Sequence, residues 1–129
     1  MKSGSGAISV HSLKNQAVIA DKCFVAVRFF DRLRGLIGKK AMPSGEAMLF
    51  PSCNDIVMWF MSIPIDVVFV RKQMQLDGST AWTVSSAHEK VKPWKLLPLR
   101  DGQASETLEL PVGTIRRCAI AVGDKICIS

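Results

Sequence analysis

The densest apolar stretch of the chain is MWFMSIPIDVVFV, residues 58–70, and it decides the fold. Pro64 lacks the N–H group that a sheet ladder needs, so it should begin the strand that follows or lie at a sheet edge. Side chains alternate along a strand, which places Asp66, Val68 and Val70 on one face and three apolar residues on the other. Both faces are therefore apolar apart from Asp66.

Asp66 needs partners in such a setting, because an isolated buried carboxylate costs several kcal/mol. Either a cation or several backbone N–H groups can supply them, and Arg32 and Arg34 are the candidate cations. The pattern favours a structural interpretation, in which the carboxylate pins a turn or a helix to the sheet. The functional alternative is a catalytic or ligand-contacting acid.

One helix is predicted upstream of this strand, over about residues 29–40. Asp31 near its start and Lys39 and Lys40 near its end carry the charges that the helix dipole favours. Five apolar residues at helical spacing share one face and make the helix amphipathic: Phe29, Phe30, Leu33, Leu36 and Ile37.

Short apolar runs separated by turn residues make up the remainder of the chain. Asp77-Gly78 and Gly123-Asp124 are hairpin signals, and Asp21-Lys22 is a candidate reversal. The fold class predicted is mainly β (β-rich α+β): a β-sandwich or distorted barrel with one short helix. Strands are predicted at 7–10, 17–20, 23–27, 46–50, 56–61, 65–71, 74–76, 80–87, 106–110, 118–122 and 125–128.

Length and composition indicate one domain over residues 1–129, with 1–15 as a flexible or partly ordered N-terminal segment. The charge of +6 makes an anionic partner worth considering, but the basic residues are scattered and do not favour nucleic acid. No apolar segment follows Lys2 and no run is long enough for a membrane span. A cytoplasmic protein is expected, with export left open if a natural N-terminus has been removed.

Six motifs in a fixed order carry a resemblance to a known family. They are RLRGLIG (32–38), GEAMLF (45–50), WFMSIPIDVVF (59–69), VKPW (91–94), LELPVG (108–113) and GD (123–124). In this order they resemble the bacterial and archaeal domain-of-unknown-function family 192, from about Ala17 to the C-terminus. The resemblance implies a compact, mainly β domain and no established catalytic mechanism. Val57 and Ser62 depart from the polar or basic residues that many members carry at these positions.

Catalytic, metal and cofactor signatures are sparse. A triad of Cys53, His88 and Asp66 can be written down, but no nucleophile-elbow sequence supports it. The four cysteines form no C-x-x-C pair and are expected as buried thiols, and no phosphate-binding glycine loop is present. Met58 and Met61 are better explained as core residues than as a Cu(I) site. No metal and no cofactor is predicted.

The sequence therefore favours a non-enzymatic binding or accessory domain with a groove beside the Trp59–Asp66 segment. Its partner is expected to be a protein segment or a small anionic ligand, because Trp94 and the arginines can stack on or pair with such groups. A hydrolase that uses Asp66 with Arg32 or Arg34 on a carbohydrate or acyl substrate is the first alternative. An anion or nucleic-acid binder is the second. The predicted groove residues are Arg32, Arg34, Trp59, Met61, Asp66 and Trp94.

Overall fold

Strands dominate the part of the chain that the computed structural model describes, which comprises residues 8–26, 42–56, 63–92 and 99–129. The elements are β1 (Ile8–Ser12), β2 (Val18–Val25), β3 (Glu46–Phe50), β4 (Asp55–Ile56), β5 (Ile65–Met74), β6 (Thr80–Val91), β7 (Leu99–Arg100), β8 (Glu106–Leu110), α1 (Thr114–Arg117) and β9 (Lys125–Ile128).

Seven of these strands close into a barrel in the order β1-β2-β3-β8-β5-β6-β9. Neighbouring strands run antiparallel except β2 and β3, which pair in parallel. β4 and β7 form a separate two-stranded sheet. The mainly β class is thus confirmed, with the distorted barrel as the correct form. The helix predicted over residues 29–40 lies outside the described residues.

β5 is buried on both faces, as the alternation in its sequence predicts. Val68 and Val70 belong to the cluster that fills the barrel, together with residues such as Leu108 and Leu110 from β8. Ile65, Val67 and Phe69 belong to a second cluster, the outer cluster, which lies on the outside of the barrel wall. Met42, Ile56 and Leu99 pack against the outer cluster.

Two of the predicted strand boundaries are wrong for a local physical reason. β2 runs through Asp21-Lys22 without a reversal, because both N–H groups bond to the carbonyl of Gly45 across the parallel pair. Residues 118–122 are not a strand: Cys118 and Ile120 donate their N–H groups back to Thr114 and Ile115 as the chain leaves α1. Gly123-Asp124 therefore does not join two paired strands, and β9 pairs with β1 and β6.

Hairpin β5–β6 is longer than predicted, since β5 continues to Met74 and the turn at Asp77-Gly78 follows it. At the N-terminus, β1 is part of the barrel wall and Ser9 exchanges two backbone hydrogen bonds with Ser129. Within the described ranges, no helix has the length and apolar character needed to cross a membrane.

Candidate functional site

Asp66 lies at one end of the barrel with its side chain fully buried. Its Oδ1 accepts a hydrogen bond from the Lys90 N–H at 2.9 Å. Its Oδ2 accepts from the N–H groups of Gly113 at 3.1 Å and Ile115 at 3.0 Å. Three backbone N–H donors thus stabilise a carboxylate that would otherwise be costly to bury.

Two of the residues that donate to Asp66 have an unusual backbone conformation. Lys90 adopts a left-handed conformation (φ 52°) in an irregular stretch of β6, and Gly113 precedes α1 with φ 96°. Since the first N–H groups of a helix have no partner within it, Asp66 supplies an acceptor for α1 from a distant strand. The carboxylate therefore holds a strand irregularity and a helix start together.

α1 and the turn that follows it close this end of the barrel, which we call the closed end. Ile115, Cys118 and Ile120 pack into the barrel core. The guanidinium of Arg117 donates to the carbonyls of Val18 and Ile19, each at 3.3 Å. These contacts seal the Asp66 end against solvent.

The opposite end of the barrel, the open end, contains a cavity of about 580 Å³. Volumes of roughly 300–1,000 Å³ are typical of small-molecule sites, and the mouths of β-barrels are one of their usual places. The cavity is lined by apolar Ile8, Val25, Leu49 and Ile128, by Lys72, Trp82 and Glu106, and by Pro51, Ser52, Ser105 and Ser129.

Glu106 brings a charged group into this cavity. Glu106 is only 7% exposed, and its Oε2 accepts a hydrogen bond from the indole Nε1 of Trp82 at 3.2 Å. The ammonium of Lys72 lies over the same indole, 5.7 Å from the ring centroid. A carboxylate, an indole and an ammonium thus line the same mouth, together with apolar residues and three serines.

A second glutamate of β8, Glu109, points to the other side of the same strand. It pairs in register with Val67 of the outer cluster and with Met48. Burial raises the pKa of Glu109 from 4.5 to about 8. Its carboxyl makes no hydrogen bond within the described residues, so desolvation acts on it without compensation.

Asp101 forms hydrogen bonds with β6 at a second irregularity of that strand. Its Oδ2 accepts from the hydroxyls of Ser85 and Ser86, each at 2.6 Å, where the β5–β6 register shifts. Burial opposes ionisation of Asp101, but these hydroxyls, the Gln103 N–H and the charge of His88 outweigh it and lower the pKa of Asp101.

His88 contacts this cluster through its Nε2, which lies 3.1 Å from the Ser86 hydroxyl. Because Ser86 gives its one hydroxyl proton to Asp101, His88 is not placed to remove it as a catalytic base would. His88 also packs edge-on against Phe69 on the outer face of the wall. Asp66 faces the barrel interior and the Cys53 thiol donates to the Asp55 carbonyl, so the described geometry does not assemble the triad of Cys53, His88 and Asp66.

Cys23 and Cys118 are buried, as expected for all four thiols, whereas Cys53 and Cys127 are only partly buried. All four thiols are free, and burial raises the pKa of Cys23 to about 12. Within the same ranges, no three His, Cys, Asp or Glu side chains come together in a way that could hold a metal ion.

Of the six groove residues predicted from sequence, Asp66 is the one that the structure describes. Arg32, Arg34, Trp59, Met61 and Trp94 lie in the ranges 27–41, 57–62 and 93–98, outside the described residues. The open-end residues Lys72, Trp82 and Glu106 were missed by the sequence reasoning. Each looks ordinary on its strand, and only closure of the barrel brings β5, β6 and β8 together around them.

Taken together, the fold and the site define a small closed-barrel domain with one sealed end and one open end, whose cavity is lined by apolar residues, serines and two charged groups. The chain matches the family described as uncharacterised ACR, domain of unknown function 192, over residues 10–128. It belongs to that family. The search of curated proteins gives no match.

Two solved structures share the fold. One, from Sinorhizobium meliloti 1021, is described as a "putative transcription regulator" and aligns with a TM-score of 0.74 at 20% identity, over 94% of this chain and 91% of the other. The other is a protein of unknown function from Novosphingobium aromaticivorans DSM 12444. It aligns with a TM-score of 0.72 at 24% identity, over 94% of this chain and 83% of that one. At these identities the likeness shows the fold alone.

Proposed function

We propose that the chain is a non-enzymatic binding domain that takes a small molecule into the open end of its barrel. The observation that carries the proposal is the Glu106 carboxylate, which is nearly buried and lines a cavity of about 580 Å³ with apolar residues on part of its wall. Apolar walls supply binding energy, and a few fixed polar groups orient the ligand. Trp82 holds Glu106 in place through the indole hydrogen bond.

The hydrolase alternative has less support. This alternative needs Asp66 as the catalytic acid. Both oxygens of Asp66 accept backbone N–H groups, and its side chain has no exposed surface. A general acid or nucleophile must reach its substrate within hydrogen-bond distance. A binding role requires no such group.

A second candidate site is the groove predicted from the sequence. Five of its residues, Arg32, Arg34, Trp59, Met61 and Trp94, lie outside the described residues, so this groove stays a proposal from the sequence. The arginines and indoles of that groove would suit a protein segment or a small anionic ligand. Asp66, the sixth predicted groove residue, has no exposed surface with which to contact such a partner.

Saturation-transfer NMR of the full chain against a library of amino acids, sugars, nucleotides, organic acids and amines tests the binding function. We expect at least one class to bind and to be displaced by other members of its class. The absence of binding by every class would contradict the proposal. Binding that persists unchanged in Glu106→Gln and Lys72→Met would move the site away from the open end.

A further inference from the structure

The open end carries two opposite charges that form no ion pair with each other. Glu106 uses Oε2 to accept from Trp82, and its Oε1 makes no hydrogen bond within the described residues. The Lys72 ammonium lies over the Trp82 ring and forms no ion pair with a carboxylate in the same part of the chain. Both groups thus lie next to the Trp82 indole.

From this arrangement we infer that the ligand of the open end is a zwitterion, a free α-amino acid with an apolar side chain. This inference rests on the proposed binding function. The ligand's ammonium donates to Oε1 of Glu106, and its carboxylate accepts from the ammonium of Lys72. The side chain packs among Ile8, Val25 and Leu49, which line the cavity.

The charges of the ligand distinguish an α-amino acid from a simple amine and from a simple carboxylic acid at this site. A simple amine satisfies Glu106 but brings a second positive charge toward Lys72, whereas a simple carboxylic acid satisfies Lys72 and is repelled by Glu106. Charge-assisted hydrogen bonds are about twice as strong as neutral ones, so a ligand that makes both gains over a ligand that makes one. The apolar walls disfavour amino acids with charged side chains, because such a charge would be desolvated without a partner.

Isothermal titration calorimetry of the full chain with L-leucine and two matched analogues tests the inference. The analogues are 3-methylbutylamine, which lacks the carboxylate, and 4-methylpentanoate, which lacks the ammonium. We expect leucine to bind at least about tenfold more tightly than either analogue, which corresponds to about 1.4 kcal/mol. L-phenylalanine should also bind, and L-aspartate should not.

Two variants test which charged group of the ligand Glu106 and Lys72 each bind. Glu106→Gln should weaken leucine about tenfold or more and leave 4-methylpentanoate unchanged or tighter. Lys72→Met, which keeps the apolar stem, should weaken leucine similarly and spare 3-methylbutylamine. Matched controls are Glu89→Gln, whose carboxylate pairs on the surface with Arg116 at 3.6 Å, and Lys125→Met, whose exposed ammonium bonds to Gln75. Both controls should bind leucine as the parent does.

Equal binding of leucine and of one analogue would overturn the zwitterion inference while the open end remained a binding site. Binding of other small molecules, but of no amino acid, at the open end would do the same. If no small molecule binds there at all, the inference and the proposed function both fail. Leucine binding that Glu106→Gln and Lys72→Met leave unchanged would also contradict the inference.

Discussion

The two ends of the barrel each hold a buried carboxylate, but they treat it in opposite ways. At the closed end, Asp66 accepts three backbone hydrogen bonds, and α1 seals the side chain from solvent. At the open end, Glu106 accepts one hydrogen bond from an indole and lines a cavity. Burial alone therefore does not distinguish a functional carboxylate from an architectural one.

The difference lies in what the folded chain supplies to the charge. Both oxygens of Asp66 accept backbone N–H groups and have no exposed surface, so a ligand cannot reach them, and loss of the carboxylate would leave buried N–H donors without a partner. A carboxylate with a remaining acceptor site that faces a cavity can still bind a donor from outside. On this reasoning we assign Asp66 to the fold and Glu106 to binding, and changes at the two ends should have different consequences.

The largest effect is expected from Asp66→Asn. The amide keeps one acceptor oxygen but turns an NH₂ group toward backbone donors, so at least one buried N–H loses its partner. Hydrogen bonds to charged groups contribute about 1.5–3 kcal/mol each, which predicts a loss of about 3 kcal/mol or more in the free energy of unfolding. Urea unfolding measures it. The exposed Asp55→Asn is the control, and a similar small loss in both variants would remove the architectural role of Asp66.

Glu109 adds a third case, a buried carboxyl without a hydrogen bond in the described residues. Its pKa is raised to about 8, so between pH 4.5 and 8 the unfolded chain ionises this group while the folded chain keeps it protonated. Stability from this residue is therefore complete below pH 4.5 and is lost as the pH rises toward 8.

The Glu109→Gln variant should escape that loss. Its advantage in unfolding free energy over the parent should grow steadily as the pH rises from 5 to 8. Urea unfolding at several pH values measures this difference, with the exposed Glu89→Gln as the control. A difference between Glu109→Gln and the parent that does not change with pH would show that Glu109 is ionised in the folded protein.

A smaller effect is expected at the start of α1. Gly113 has φ 96°, and a Cβ there would meet no atom within 4 Å, so Gly113→Ala adds backbone strain without a clash. That strain is about 1–2 kcal/mol. Thermal unfolding measures the loss, and Gly102→Ala, which also has open space and lacks the positive φ, should cost less. Equal losses would mean that the N–H geometry at Asp66 does not depend on this turn.

The smallest effect on stability is expected from Glu106→Gln. The amide oxygen still accepts the hydrogen bond from Trp82, and no backbone donor is left without a partner. We expect a change below about 1 kcal/mol in the free energy of unfolding. A loss as large as that of Asp66→Asn would mean that Glu106 is part of the architecture and would erase the contrast between the two ends.

The sequence predicts the parts of this account that depend on local pattern. The alternation in β5 anticipates its two buried faces, and the apolar surroundings of Asp66 require backbone or cationic partners. The partners themselves were not predictable, because Gly113 and Ile115 lie 47 and 49 residues away along the chain. The four residues of α1 are too few for a periodic pattern, and their capping group comes from β5.

The open end was missed for a related reason. In the sequence Glu106 and Glu109 are isolated carboxylates on a short strand, yet β8 lies between β3 and β5 and is buried along its whole length. Lys72 and Trp82 lie on the β5–β6 hairpin, where a lysine and an aromatic residue are unremarkable. Only the order of strands in the closed barrel brings these side chains to one mouth.

The most direct test of the contrast between the ends is a chemical-shift map of the full chain, labelled with ¹⁵N and titrated with L-leucine. We predict saturable shifts at the Trp82 indole N–H and at the amides of Val25, Leu49 and Glu106, with Gly113 and Ile115 unmoved. Shifts that cluster at Gly113 and Ile115, or that leave the Trp82 indole unchanged at saturation, would contradict the account.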